Sequence, residues 1–192
     1  MTDFVRVLVI CMFGLVIGLV ASAYALSQPS PLDRVRLGAW EVEAHAGSIE
    51  ADPYARARLE RSGEIPLAVG EGLQLIARVD DNGRPLDSHC VYEVGPRVPA
   101  ARYWTLSLVD LNGWPVENLA LRYGFRSSEI LRAGNGDFII AVGAEVQPGN
   151  WLPIGAPEPF ALALRLYDSP LGATAGAIDK FAVPRVTRVD CG

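Results

Sequence analysis

Along residues 103–110 apolar and polar positions alternate: Trp104, Leu106 and Leu108 fall on one side, Thr105 and Ser107 on the other. A period of two marks a strand with one buried face. Asn112-Gly113 comes next, the kind of pair, with positive φ, that a two-residue hairpin turn requires. Residues 160–167, FALALRLY, repeat the pattern and place Phe160, Leu162, Leu164 and Leu166 together. These two strands are expected at the centre of the core, with Thr105, Ser107 and Arg165 on the opposite face.

The same alternation runs through residues 73–80, where Leu73, Leu75, Ala77 and Val79 oppose Gln74 and Arg78, and Asp81-Asn82-Gly83 then signals a turn. Shorter strands are expected over 90–94, 121–125, 138–142 (after Gly134-Asn135-Gly136) and, more weakly, 183–189. Residues 149–159, with Trp151 and three prolines, read as an irregular loop. One soluble helix is marked in residues 51–63: Asp52 can cap it, Pro53 suits its first position and Gly63 would stop it. Its spacing turns Tyr54, Ala57 and Leu59 inward. With 19 glycines and 14 prolines joining short strands, the expected fold is mainly β: an antiparallel β-sandwich or jelly-roll-like domain carrying one short helix.

From Val7 to Leu26 no charged residue occurs, a run of twenty. A helix crossing the hydrocarbon core needs about 20 residues. The run is therefore expected to be a retained transmembrane anchor, and Gly14 and Gly18 supply the GxxxG spacing of helix packing. Ala21-Ser22-Ala23 and Ala23-Tyr24-Ala25 have the form of cleavage sites, so a signal peptide is the alternative. The expected division is 1–26 anchor or signal peptide, 27–50 linker and irregular lead-in, and 51–192 sandwich domain. Either reading exports the domain, with the N-terminus in the cytoplasm. Cys11 lies inside the apolar run, which leaves Cys90 and Cys191. In an oxidising compartment these two are expected to form a disulfide.

Charge and chemistry narrow the function more than they define it. The net charge is −5, and the N-terminal segment holds one Arg and one Asp, so the remainder keeps that value. With a single lysine and no basic run, nucleic acid is excluded as a partner, and no polybasic patch addresses anionic lipid. His45 and His89 show no ligand-like spacing with the cysteines, so neither a metal nor a cofactor is expected. Ser107, Ser127 and Ser128 are candidate nucleophiles, yet no G-x-S-x-G elbow, Walker or dinucleotide motif is present. Two groups could bind a ligand. Gln74, Arg78, Thr105, Ser107, Arg165 and Tyr167 would share a polar sheet face fit for a carboxylate, phosphate or sugar, or serve only as a solvated outer face. Asn118, Arg122, Asn150 and Trp151 lie outside regular alternation and could hold a ligand or simply satisfy loop backbone.

Several stretches in order, YWTLSLVD and NGWPVEN (103–118), GNWLP (149–153) and FALALRLYDSP (160–170), resemble the bacterial domain-of-unknown-function family 1214. ADPYARARLERSGEIPL and DNGRPLDSHCVYEVG upstream are similar to its short, single-domain members. The resemblance covers residue 52 to the C-terminus and implies a jelly-roll-like sandwich in an envelope protein; the apolar run and the cysteine pair are what set that domain in the periplasm on an inner-membrane anchor, or free in the periplasm if the run is cleaved. Many relatives carry a second domain upstream, for which this chain leaves no room. The family assigns no catalytic residue. The expectation is thus a non-enzymatic binding or structural protein; the rival is a periplasmic hydrolase or small-ligand-binding domain using the polar sheet face.

Overall fold

A computed structural model describes residues 2–27, 34–43, 45–62, 66–68, 70–155, 159–170 and 182–191. The first element, α1 (Thr2–Ser27), includes one stretch, Asp3–Leu26, long and apolar enough to cross a membrane. No part of that stretch is buried against the rest of the protein, and from Val7 onward it carries no charge on any side.

Beyond α1 the chain folds into a two-sheet sandwich. The larger sheet contains β1 (Arg34–Leu37), β2 (Trp40–Glu43), β3 (Gly72–Ala77), β5 (Tyr103–Asp110), β6 (Gly124–Arg126) and β9 (Phe160–Tyr167), in the order β1-β2-β3-β9-β5-β6. The smaller holds β4 (Cys90–Gly95), β7 (Ile140–Gly143), β8 (Asn150–Pro153) and β10 (Arg185–Cys191), in the order β10-β4-β7-β8. The helix α2 (Pro53–Ser62) lies between β2 and β3 in sequence. Asp52 caps it as expected, its Oδ1 accepting from the amides of Tyr54 at 2.8 Å and Ala55 at 3.1 Å. Gly63, the expected stop, lies outside the described residues.

β5 and β9 are the central pair, in register from Tyr103↔Tyr167 to Asp110↔Phe160. Trp104, Leu106, Leu108, Leu162, Leu164 and Leu166 are all buried, while Thr105, Ser107 and Arg165 are half-buried on the other face. They meet Tyr92, Val94, Ile140, Val142, Leu152 and Val186 of the smaller sheet in one core. Each fully buried leucine contributes about 1.5–3 kcal/mol.

Four elements differ from the sequence reading. Residues 27–50, expected as linker and irregular lead-in, contain β1 and β2, which extend the larger sheet beside β3. Trp40 is why: it is fully buried, and its Nε1 donates to the Pro184 carbonyl at 2.6 Å. The stretch 149–159, expected as irregular, contains β8, which runs parallel to β7, so the sandwich is not wholly antiparallel. On α2 the buried residue is Ala55, with Ala51 just before the helix, whereas Tyr54 is exposed. Finally, Asn112-Gly113 closes a small local turn with a Val109↔Pro115 bridge, while the strand that pairs with β5 comes later, at β6.

The two ends of the larger sheet are distinct. Arg34, Glu43, Gly72, Tyr103 and Tyr167 lie at one end, where the chain arrives from α1 and where α2 leaves and returns. Helices α1 and α2 are in contact. The loops after β3 and β5 lie at the far end, one eight-residue strand away, about 25 Å.

The smaller sheet is closed covalently. Cys191 pairs directly with Cys90 across the β10–β4 ladder, and the two form a disulfide with a Cα–Cα separation of 4.0 Å. That is nearer than most bridged pairs because the cysteines face each other across an antiparallel ladder.

Candidate functional site

The outer face of the larger sheet gathers the polar residues expected there. Gln74, Arg165, Thr105 and Arg126 form one row across β3, β9, β5 and β6. Arg165 Nε donates to Gln74 Oε1 at 2.8 Å. One row towards the linker end, Tyr103 and Tyr167 face each other with ring centroids 5.9 Å apart. One row the other way, Ser107 pairs with Ala163. Beyond it the face turns apolar: Val109, Ala161 and Ala163 are buried beside Ile76.

Arg78 is drawn elsewhere. Glu41 on β2 accepts from Arg34 at 2.8 Å and Arg36 at 2.6 Å, and Arg78 Nη1 stands 3.7 Å from its carboxylate. Three guanidiniums around one carboxylate leave a local excess of positive charge in an acidic protein. So Thr105, Arg165 and Tyr167 come together, Ser107 adjoins them, and Arg78 joins an ion cluster that the sequence reading lacked. Tyr103, Arg126 and Glu41 were missed as well. The alternation of Trp40, Val42 against Glu41, Glu43 was the one trace of the last, and at four residues it is too short to declare a strand.

The second expected group is not one site. Asn118 organises the turn before β6: its Oδ1 accepts from the Arg122 amide at 3.1 Å and its Nδ2 donates to the Arg122 carbonyl at 2.9 Å. The Arg122 guanidinium lies 4.7 Å from the Phe125 ring centroid. Asn150 is buried and its amide clamps two other segments, accepting from Leu131 N at 2.8 Å and donating to the carbonyls of Leu131 and Ile139 at 2.9 Å. Trp151 Nε1 donates to the Gly143 carbonyl at 2.9 Å, tying β8 to the end of β7. These residues satisfy backbone where the chain departs from regular ladders, which is how buried peptide groups avoid the cost of desolvation.

A charged cluster at the far end joins the loop after β3 to the C-terminal strand. Asp80 is fully buried at its carboxylate and accepts from the amides of Asn82 and Arg84 at 2.9 Å and from Arg84 Nε at 2.8 Å. Arg188 Nε lies 3.3 Å from Asp80 Oδ2, the same oxygen that accepts from Arg84 Nε, and the Arg188 guanidinium sits 5.4 Å from the Tyr92 ring centroid. Burial pushes the Asp80 carboxyl up, but the hydrogen bonds from Arg84 and Asn82 outweigh it and hold the group below the usual carboxylate range. At Asp81 burial prevails over the pull of Arg185, and the carboxyl is raised, although it accepts from the Val186 amide at 3.1 Å. The loop thus grips β10 from two adjacent carboxylates.

The histidines lie on loops, each near a carboxylate. His89 Nδ1 lies 2.9 Å from Asp87 Oδ1 and His45 Nε2 is 3.9 Å from Glu50. Among the described residues no group of three His, Cys, Asp or Glu could hold a metal ion.

A family model described as a protein of unknown function (DUF1214) matches residues 71–171, more than half of the chain. Among solved structures, the VPA0106 protein from Vibrio parahaemolyticus is similar at 19% identity with a TM-score of 0.60, over 73% of this chain and 36% of that one. An uncharacterized protein from Burkholderia cenocepacia aligns at 18% identity over 75% of this chain and 45% of its own, with a TM-score of 0.41. The chain therefore spans under half of either structure. No curated protein matches it.

Proposed function

The chain belongs to the DUF1214 family, and from that membership we propose that it is an envelope protein anchored by α1, whose periplasmic sandwich is a binding or scaffolding module rather than an enzyme. The observation that carries this reading is the Cys90–Cys191 disulfide in a chain that begins with a membrane-length apolar helix. Such bridges persist in oxidising compartments and not in the cytosol of most cells. The arginines of the sheet face and of the far-end cluster engage carboxylates, an amide and an aromatic ring, the arrangement of a cohesive surface.

The test is made on membranes from cells treated with a thiol-blocking reagent before lysis. The full chain should stay in the pellet after an alkaline wash, keep its N-terminus, and show Cys90 and Cys191 unblocked until reduced. An N-terminus near residues 22–26 would replace the anchor with a soluble periplasmic protein. Two freely blocked thiols would end the export reading.

A second reading, a small anionic ligand on the larger sheet, is favoured by the Arg165–Thr105–Arg126 row beside the Tyr103–Tyr167 pair. It requires saturable binding of a phosphate or carboxylate compound that Arg165→Gln abolishes.

A further inference from the structure

We propose that Arg34, Arg36 and Arg78 form a binding site for a phosphate monoester, organised by Glu41 at the β1 edge of the larger sheet. The starting point is a charge imbalance. Arg34 Nη1 and Arg36 Nη2 donate to opposite oxygens of the Glu41 carboxylate at 2.8 and 2.6 Å, and Arg78 Nη1 lies 3.7 Å from it. Three guanidiniums therefore crowd one carboxylate, an excess of two positive charges. If Glu43, which faces Arg34 across the β1–β2 ladder, is counted as well, one charge is still unmatched. Separations this far inside the Debye length of about 8–10 Å are not screened by salt. The next carboxylates do not supply the missing charge, because Asp80 and Asp81 in the loop after β3 already hold Arg84, Arg185 and Arg188.

The cluster stands on a fixed frame. Trp40 and Val42, on either side of Glu41, are buried in the core, and so is Leu37 beside Arg36. The Glu41 side chain is only 12% exposed, and partial removal from water strengthens its hold on the two arginines of β1. A guanidinium has five N–H donors, and Arg34 and Arg36 each give a single hydrogen bond to Glu41. The three arginine side chains remain open to solvent, at 24% for Arg34, 66% for Arg36 and 44% for Arg78. No basic run in sequence marks the site, because pairing of β1, β2 and β3 is what brings residue 78 beside residues 34 and 36.

The arrangement selects the chemistry of the ligand. Guanidiniums present paired N–H groups that match the oxygens of phosphates and carboxylates. A second carboxylate would bring only one charge to a cluster that lacks up to two. A phosphate monoester brings about −1.5 to −2 at neutral pH and three terminal oxygens, one for each arginine. A phosphodiester, with two terminal oxygens and a single charge, leaves one guanidinium unmatched. The same monoester occurs in soluble phosphorylated compounds and in the headgroup of phosphatidic acid. Both are within reach of a sandwich that six residues separate from α1. The site uses none of the residues of the Arg165–Thr105–Arg126 row, and the inference does not depend on export of the domain.

The test is calorimetric titration of the full chain, purified in a neutral detergent, at fixed ionic strength. The probes are glycerol 3-phosphate, dihexanoyl phosphatidic acid and, as the diester control, dihexanoyl phosphatidylglycerol. Saturable binding of a monoester is expected with a Kd below about 1 mM, and the phosphatidylglycerol should bind about tenfold more weakly. Phosphatidic acid binding more tightly than glycerol 3-phosphate identifies a lipid as the source; equal affinity identifies a soluble compound. Arg36→Gln and Arg78→Gln should each weaken monoester binding about tenfold, while Arg165→Gln binds like wild type. Arg36 is mostly exposed, so its variant should keep the wild-type urea midpoint without ligand, which separates lost binding from lost folding. No saturable monoester binding, equal affinity for phosphatidylglycerol, unchanged binding by either Arg36→Gln or Arg78→Gln, or loss of binding in Arg165→Gln would each overturn the proposal.

Discussion

Replacing Cys191 with serine tests how the C-terminal strand is held. The bridge closes a loop with a sequence separation of 101. In the chain-entropy model a loop of about 100 residues is worth up to about 4.7 kcal/mol, and native bridges typically deliver about 2–4 kcal/mol. The lower range is expected here, because β10 has other attachments in the folded state. Val186 is fully buried, its amide donates to Asp81, Trp40 bonds the Pro184 carbonyl, and Arg188 stacks on Tyr92 while pairing with Asp80. With these in place the variant should keep its native fold, and the loss should arise mainly from a freer unfolded chain. Trp40 and Trp104 are buried, so tryptophan fluorescence of the full chain in detergent reports the sandwich without interference from α1. The urea midpoint should fall by about 1–2 M with little change in slope. An unchanged midpoint would refute the stabilising role. Loss of amide protection at Val186 under native conditions would show that the bridge, and not the side-chain attachments, docks the strand.

Asp80→Asn removes a fully buried carboxylate and leaves Arg188 without its ion pair, which should cost about 3–5 kcal/mol at neutral pH. Because the folded carboxyl is held below its ordinary value, its stabilisation is complete above the usual carboxylate range and is lost as pH falls through the folded value. The wild type should therefore lose stability on acidification more steeply than the variant in urea titrations between about pH 6 and 2. Asp81, whose carboxyl is raised, works in the opposite direction and should remain in both proteins. An equal acid slope in the two would sink the assignment. Leu164→Ala, in the middle of β9 with no exposed surface, should cost about 2–5 kcal/mol, whereas Thr105→Ala on the other face should change stability by about 0.5 kcal/mol or less. Equal costs would mean the sheet faces are exchanged.

The central strands were legible because β5 and β9 are each eight residues long, enough for a period of two to declare which face is buried. β1 and β2 span four residues each, too few for periodicity to outweigh their charges, and only the tertiary role of Trp40 identifies them. β8 was hidden differently: its glycine and proline neighbours read as loop, and a parallel pairing with β7 across a six-residue connection has no local signature. On α2 the spacing favoured Tyr54, but a helix face is chosen by what it meets, and here small alanines face inward. The polar sheet face was readable as a set, since strand alternation sorts side chains by side. Its internal pairing was not: Arg78 turns to Glu41, which lies on a strand that the pattern does not reveal.

The two loops at the far end show where local sequence stops being informative. V-D-x-N-G-x-P occurs twice, at residues 79–85 and 109–115. In both, the aspartate Oδ1 accepts from amides two and four residues on, the glycine takes positive φ (78° at Gly83, 90° at Gly113), and valine bridges to proline. Asx-turn chemistry and glycine's freedom at positive φ account for that shared geometry from local sequence alone. The variable position before proline then divides their fates. Arg84 turns back onto the buried Asp80, in the cluster where Asp80 and Asp81 grip β10. Trp114 turns outward into water beside Leu111. An arginine beside a carboxylate is already engaged by the fold, whereas the tryptophan at the equivalent position of the second turn leaves most of its surface in water. The same turn is a brace in one loop and an exposed tip in the other, because the β10 groups that Asp80 and Asp81 grip, the Arg188 guanidinium and the Val186 amide, are brought there by a strand distant in sequence.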